Sequence, residues 1–160
     1  MVKPVPEGYT TVTPHLVVDG AAKAVDFYKK AFGAEEICRM PGPGGCLMHA
    51  EVNIGGNRVM LCDDLGAQFG QPKRSPTALG ACSTTIHLYV TDCDKAMQRA
   101  VDAGAEVVYA AMDTFWGDRY GKVKDPFGHE WAIATHIKDM TPEEMAKGAD
   151  EWMKNCGKKQ

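Results

Sequence analysis

A chain of 160 residues, 44% of them hydrophobic, is long enough for one packed domain or two small halves sharing a core. Its formal net charge of -3 leaves no basic footprint, which argues against nucleic acid as a partner, and no apolar run approaches the roughly 18 residues of a membrane span. Met1 to Gly8 has no apolar signal core, so a cytoplasmic protein is expected, with its six cysteines as reduced thiols. None forms a Cys-x-x-Cys pair, so a structural zinc is not expected.

Residues 1–10, with two prolines and a glycine, read as an arm. Thr11 to Val18 alternates as a strand, with His15 and Val17 on one face and Leu16 and Val18 on the other. Asp19 is the expected N-cap of a helix from Gly20 to Phe32, striped by Ala21, Ala24, Val25, Tyr28 and Phe32 and stopped by Gly33. Strands follow at Glu35–Arg39, Leu47–Ile54 and Asn57–Cys62. A loop at 40–45 and a Gly55-Gly56 hairpin turn separate them. In the middle strand Met48, Ala50, Val52 and Ile54 share one face; His49, Glu51 and Asn53 share the other. Residues 64–83 show no period and read as a linker or a lid over a ligand.

The second half repeats the plan. A strand at Thr84–Val90 carries Thr85, His87 and Tyr89 on one face. A helix capped by Asp92 or Asp94 runs to Ala103, then come a strand at Glu106–Ala110 and a loop over 111–117. Strands at Asp118–Lys124 and His129–Thr135 flank an Asp125-Pro126-Phe127-Gly128 turn. His129 is expected in solvent, and Trp131 on the helix side of its strand. In the tail, 137–160, Thr141, Pro142 and Glu144 spell a capping box and first-turn proline. Met145, Ala149, Trp152 and Met153 stripe the helix, with Trp152 as its anchor.

The halves are copies. His15-Leu16-Val17-Val18-Asp19 returns as His87-Leu88-Tyr89-Val90-Thr91-Asp92, and Gly33-Ala34-Glu35 as Gly104-Ala105-Glu106. Residues 11–63 and 84–136 therefore read as two βαβββ units, an α+β fold built by doubling.

Two such units, with Asp26-Phe27-Tyr28 in the first helix and Asp125-Pro126-Phe127-Gly128-His129 before the last strand, resemble the vicinal oxygen chelate superfamily (glyoxalase, bleomycin resistance protein, dioxygenase). Thr13-Pro14-His15-Leu16-Val17-Val18-Asp19, Arg39-Met40-Pro41-Gly42-Pro43, Phe115-Trp116-Gly117-Asp118-Arg119 and Trp131 to His136 resemble its PhnB-like branch. The resemblance implies cupped mixed sheets with helices outside, a cavity against the neighbouring half or subunit, and a homodimer.

Metal-dependent relatives take ligands from the first and last strand of each half. Matching by the helix motifs puts those positions at Thr13, Met60 or Leu61, Thr85 and Ala132, none of them a carboxylate or an imidazole. The expectation is a protein that binds a small organic molecule without a metal cofactor. His15, His49, Glu51, His87, Tyr89, Trp116 and Arg119 are its expected lining. The opposing reading is a divalent-metal lyase, isomerase or dioxygenase using His15, His87 and Glu51. A third is sequestration of an antibiotic in a deep groove at the dimer interface, with stacking aromatics. Asp118 and Arg119 are also readable as a surface ion pair, with Trp116 filling the gap between the halves.

Overall fold

The computed structural model describes residues 2–156. Two four-stranded sheets carry the α+β fold. The first contains β1 (His15–Val18), β2 (Glu35–Pro41), β3 (Leu47–Ile54) and β4 (Asn57–Asp63), in the order β1-β4-β3-β2. The second contains β5 (Thr85–Tyr89), β6 (Glu106–Asp113), β7 (Asp118–Lys124) and β8 (Glu130–His136), in the order β5-β8-β7-β6. In each sheet the first strand runs parallel to the last and the other pairs are antiparallel. Helices α1 (Ala21–Phe32) and α3 (Cys93–Asp102) are the crossovers. The doubled βαβββ plan is present as expected.

The halves share one core because α1 lies on the first sheet, α3 on the second, and the two helices pack on each other. All five predicted stripe residues of α1 are buried. Trp131 is fully buried, with the rings of Phe32 and Tyr28 at 4.6 and 5.2 Å. Buried Asp125 joins this aromatic centre to the turn before β8. Its Oδ1 accepts the N–H groups of Phe127 and His129; its Oδ2 accepts from Tyr28 Oη and Trp131 Nε1. With its donors supplied, the carboxylate tolerates burial. The imidazole of His129 is not in solvent as expected, but donates from Nε2 to the Val17 carbonyl at 3.1 Å, tying the second half to the first.

Several boundaries differ from the sequence reading. β1 begins at His15 rather than Thr11, since the chain before it is arm. The cap of α1 is not Asp19. Gly20 occupies the N-cap in a left-handed backbone (φ 98°), and Asp63, at the end of β4, accepts the N–H groups of Gly20 and Ala21 on one oxygen. Its other oxygen accepts from Leu47. A tertiary carboxylate thus does the work of a local cap. Asp63→Ala is expected to cost about 1–2 kcal/mol, the value of a lost N-cap, while Asp19→Ala stays within about 0.5 kcal/mol. Urea unfolding of both variants checks the assignment. Asp92 caps α3 through the Lys95 N–H, as expected.

Two of the edge strands run longer than predicted. β2 reaches Pro41 and β6 reaches Asp113, because bulges absorb irregularities that broke the apolar alternation. In β3, Met48 is exposed although the alternation put it on the buried face with Ala50, and its neighbour Leu47 is buried. Gly55 and Gly56, both at positive φ, form the expected hairpin turn. Residues 64–83 are not structureless. Asp64 gathers the N–H groups of Gly66, Arg74 and Ser75, a single 3-10 turn spans Gly66–Phe69, and α2 (Pro76–Leu79) seats buried Pro76 near Gly128.

Candidate functional site

A cavity of about 570 Å3 lies where the second sheet, the β6–β7 turn and the tail helix α4 (Pro142–Cys156) meet. Side-chain alternation places His87 and Tyr89 of β5 beside Tyr120 of β7 on the sheet face away from α3. The bulge in β6 brings Tyr109 onto the same face, directly opposite Lys122. The turn supplies Phe115 and Trp116, and α4 supplies Trp152. Six aromatic rings and one imidazole thus surround the space.

The rings hold each other in place. His87 lies 4.6 Å from Tyr89 and 6.0 Å from Tyr120; Trp116 stands edge-on to Tyr120 at 5.6 Å and to Phe115 at 4.9 Å. Trp152 reaches Phe115 at 6.4 Å. Gly148 permits that approach, because a Cβ there would stand 2.5 Å from Phe115 Cβ. The capping box of α4 is formed as predicted, Thr141 and Glu144 bonding each other's backbone N–H. The predicted stripe is mostly uncovered: Met145, Trp152 and Met153 all remain exposed, so Trp152 touches Phe115 without being the buried anchor expected.

Asp118 fixes the polar edge of the cavity. Its side chain is 3% exposed. Oδ2 accepts from Tyr89 Oη and Trp116 Nε1, each at 3.1 Å, and Oδ1 accepts from His136 Nδ1 at 2.8 Å. The other nitrogen of His136 faces Asp139 Oδ1 at 3.0 Å. Hydrogen bonds to Asp139 and then Asp118 raise the imidazole above its ordinary value. The bond to Asp118 likewise holds the Tyr89 phenol neutral and donating by raising it.

The expected site residues fall into three groups. His87, Tyr89 and Trp116 line this cavity. Arg119 does not. It lies on the opposite face of β7, bonded through two nitrogens to Asp94 and through a third contact to Asp113, which raises the guanidinium further. The supposed Asp118–Arg119 surface pair therefore does not exist, since neighbours on a strand point apart. His15, His49 and Glu51 gather on the first sheet instead. The His15 and His49 rings are 6.0 Å apart, and His49 Nε2 lies 2.9 Å from Glu51 Oε1. The hydroxyl of Tyr9 donates to the other Glu51 oxygen, laying the arm across this face. Burial pushes the Glu51 carboxyl up, but bonds from Tyr9 and His49 outweigh it and leave it lowered. Burial, then His49 and Arg74, lower His15 and favour the neutral ring.

The triad His15, His87 and Glu51 is not assembled, because the histidines belong to separate faces with separate neighbours. In the strand register the four matched positions do not face one another in pairs. Met60 stands level with His15 and Ala132 with His87, whereas Thr85 stands level with Glu130. Hydroxyls, a thioether and a methyl group at Thr13, Thr85, Met60 and Ala132 do not fit a metal at the positions used by metal-dependent relatives. A different group approaches ligand geometry: one donor atom each from Cys38, His49 and Glu51, all within 4.8 Å of one another. Sequence reasoning missed Tyr109, Tyr120, Phe115 and Trp152. Tyr120 was available from its alternation with Asp118; Tyr109 was hidden by the bulge.

Comparison with known proteins agrees with the fold. Residues 9–133 match the model of the Glyoxalase/Bleomycin resistance protein/Dioxygenase superfamily. An uncharacterised protein of Mycobacterium tuberculosis strain H37Rv is 52% identical over 134 residues, covering 84% of this chain and 79% of that protein. The solved structure of an Arabidopsis thaliana gene product is 32% identical with a TM-score of 0.62, covering 79% of this chain and 98% of that one. A putative 3-demethylubiquinone-9 3-methyltransferase, PhnB protein, of Bacillus cereus shares the fold at a TM-score of 0.60 and 14% identity, covering 79% and 99%. The chain belongs to the glyoxalase/bleomycin resistance protein/dioxygenase superfamily.

Proposed function

We propose that this PhnB-like protein binds a small, flat, mostly apolar organic molecule in the cavity of its second half, without a metal at that cavity. The carrying observation is the ring of Tyr89, Tyr109, Phe115, Trp116, Tyr120 and Trp152 around about 570 Å3, with Asp118 already engaged by its neighbours. Aromatic walls gain by stacking and by burial of apolar area, and a few fixed polar groups orient the guest. Sequestration of a planar antibiotic is the same physical event, and the two tryptophans favour it. The edge strands β2 and β6 expose Ile37, Met40, Val107 and Met112, a pattern that a second copy of the chain would cover in a homodimer. Among the described residues, Cys38, Cys46, Cys62, Cys82 and Cys93 are free thiols, which suits a cytoplasmic setting. Among the described residues, no helix is long and apolar enough to cross a membrane.

The test is a panel of planar aromatic compounds read by tryptophan fluorescence and thermal shift. At about one hundred times its Kd, a ligand raises stability by about 2.7 kcal/mol. Tyr120→Ala and Trp152→Ala should each weaken binding by about tenfold or more, the range of one aromatic contact. A panel that leaves wild-type fluorescence and melting unchanged, or binding indifferent to both substitutions, defeats the reading. Light scattering checks the dimer.

A further inference from the structure

The matching faces of the two sheets carry different chemistry. In the first sheet one row crosses the strands as His15, Met60, Glu51 and Cys38. The same row in the second sheet is His87, Ala132, Lys122 and Tyr109. Each row depends on a bulge in its edge strand, between Glu36 and Cys38 in one and between Val107 and Tyr109 in the other. Bulges re-aim side chains. Here one bulge turns a thiol onto a carboxylate, where its counterpart turns a phenol onto an ammonium.

We infer that Cys38, His49 and Glu51 form a binding site for a divalent transition metal of the zinc class. A thiolate, an imidazole and a carboxylate make a borderline-soft donor set that suits Zn2+ and poorly suits Mg2+ or Ca2+. Donors around tetrahedral zinc stand about 3.5 Å apart, so His49 Nε2 and Glu51 Oε1, now 2.9 Å apart, open by about half an ångström while the Cys38 sulfur, within 4.8 Å of both, closes by up to about 1 Å. Cys38 is on an exposed edge strand and can make that movement. Glu51 is held on the interior strand β3, and His49 is already on its oxygen.

The charges balance. Binding releases the Cys38 thiol proton to solvent, and thiolate plus carboxylate then offset the two positive charges. Without a cation, burial and then the Glu51 carboxylate push that thiol up and keep it protonated. Arg58 of β4, whose guanidinium lies 5.6 Å over the ring of Tyr9 in the arm, is the competing positive charge. The site uses β2 and β3, not the first and last strands that bear ligands in metal-dependent relatives. It is also separate from the aromatic cavity.

The full chain, stripped with a chelator under reducing conditions, is titrated with Co2+ as an optical probe for Zn2+. One equivalent should bind with thiolate-to-cobalt charge-transfer absorption and tetrahedral visible bands, both bleached by Zn2+. Cys38→Ala should abolish the charge-transfer band and weaken Co2+ binding at least tenfold. His49→Ala should weaken binding at least tenfold and retain the band, and Cys62→Ala should change neither. Circular dichroism confirms that each variant is folded. No band at one equivalent of Co2+, or a band that persists in folded Cys38→Ala, overturns the site.

Discussion

Trp131→Ala is expected to destabilise the protein by about 3–5 kcal/mol, the range for deleting a fully buried tryptophan. The side chain touches both halves of the core, against Phe32 and Tyr28 of α1, and its indole N–H is bonded to Asp125. The substitution opens a cavity and removes one donor from a buried carboxylate. Against a typical total of about 5–15 kcal/mol, this leaves a marginal fold. Trp131→Phe keeps most of the ring volume and loses the N–H, so about 1–2 kcal/mol is expected. Urea unfolding provides the measurement. Because one core serves both sheets, wild type should unfold in a single transition. A loss below about 1 kcal/mol, or separate transitions for the halves, contradicts a shared core centred on this residue.

Asp118→Ala should cost about 3 kcal/mol of stability and also impair the cavity. Three donors, from Tyr89, Trp116 and His136, lose their acceptor together. Two belong to rings that wall the cavity, so ligand affinity should fall by at least tenfold, as for loss of a principal contact. Asp118→Asn separates size from charge. It preserves the volume but presents an amide N–H to groups that are themselves donors, and should resemble alanine more than wild type in binding. Binding unchanged in folded Asp118→Asn would show that the rings do not depend on this carboxylate.

The same cluster gives a pH dependence of known sign. The folded-state value of His136 is raised above the ordinary 6.5 by Asp139 and then Asp118. Its stabilising contribution is complete below about pH 6.5 and disappears as pH rises through the folded-state value. Stability measured from pH 6 upward should therefore decline more in wild type than in His136→Ala.

Much of the architecture was legible because it rests on local periodicity and on duplication. The stripe from Ala21 to Phe32, the glycines after each first helix, the Gly55-Gly56 turn and the capping box at Thr141 are each determined within a few residues. The superfamily followed from those patterns and from the motifs Asp26-Phe27-Tyr28 and Asp125-Pro126-Phe127-Gly128-His129. The site was legible only in part. His87, Tyr89 and Trp116 line one cavity, but His15, His49 and Glu51 belong to another face and Arg119 to an ion cluster with Asp94 and Asp113.

What the chain order alone determined, then, was the pair of βαβββ units and which residues of each strand share a face, since a period of two or of 3.6 is a property of neighbouring residues. What only the folded protein decided was which faces meet. Asp63 capping α1 from the end of β4, Cys38 turned onto Glu51, and Trp152 brought from the tail to Phe115 depend on strand register, bulges and helix docking. Those are set by the burial of side chains far apart in sequence, and no local period records them.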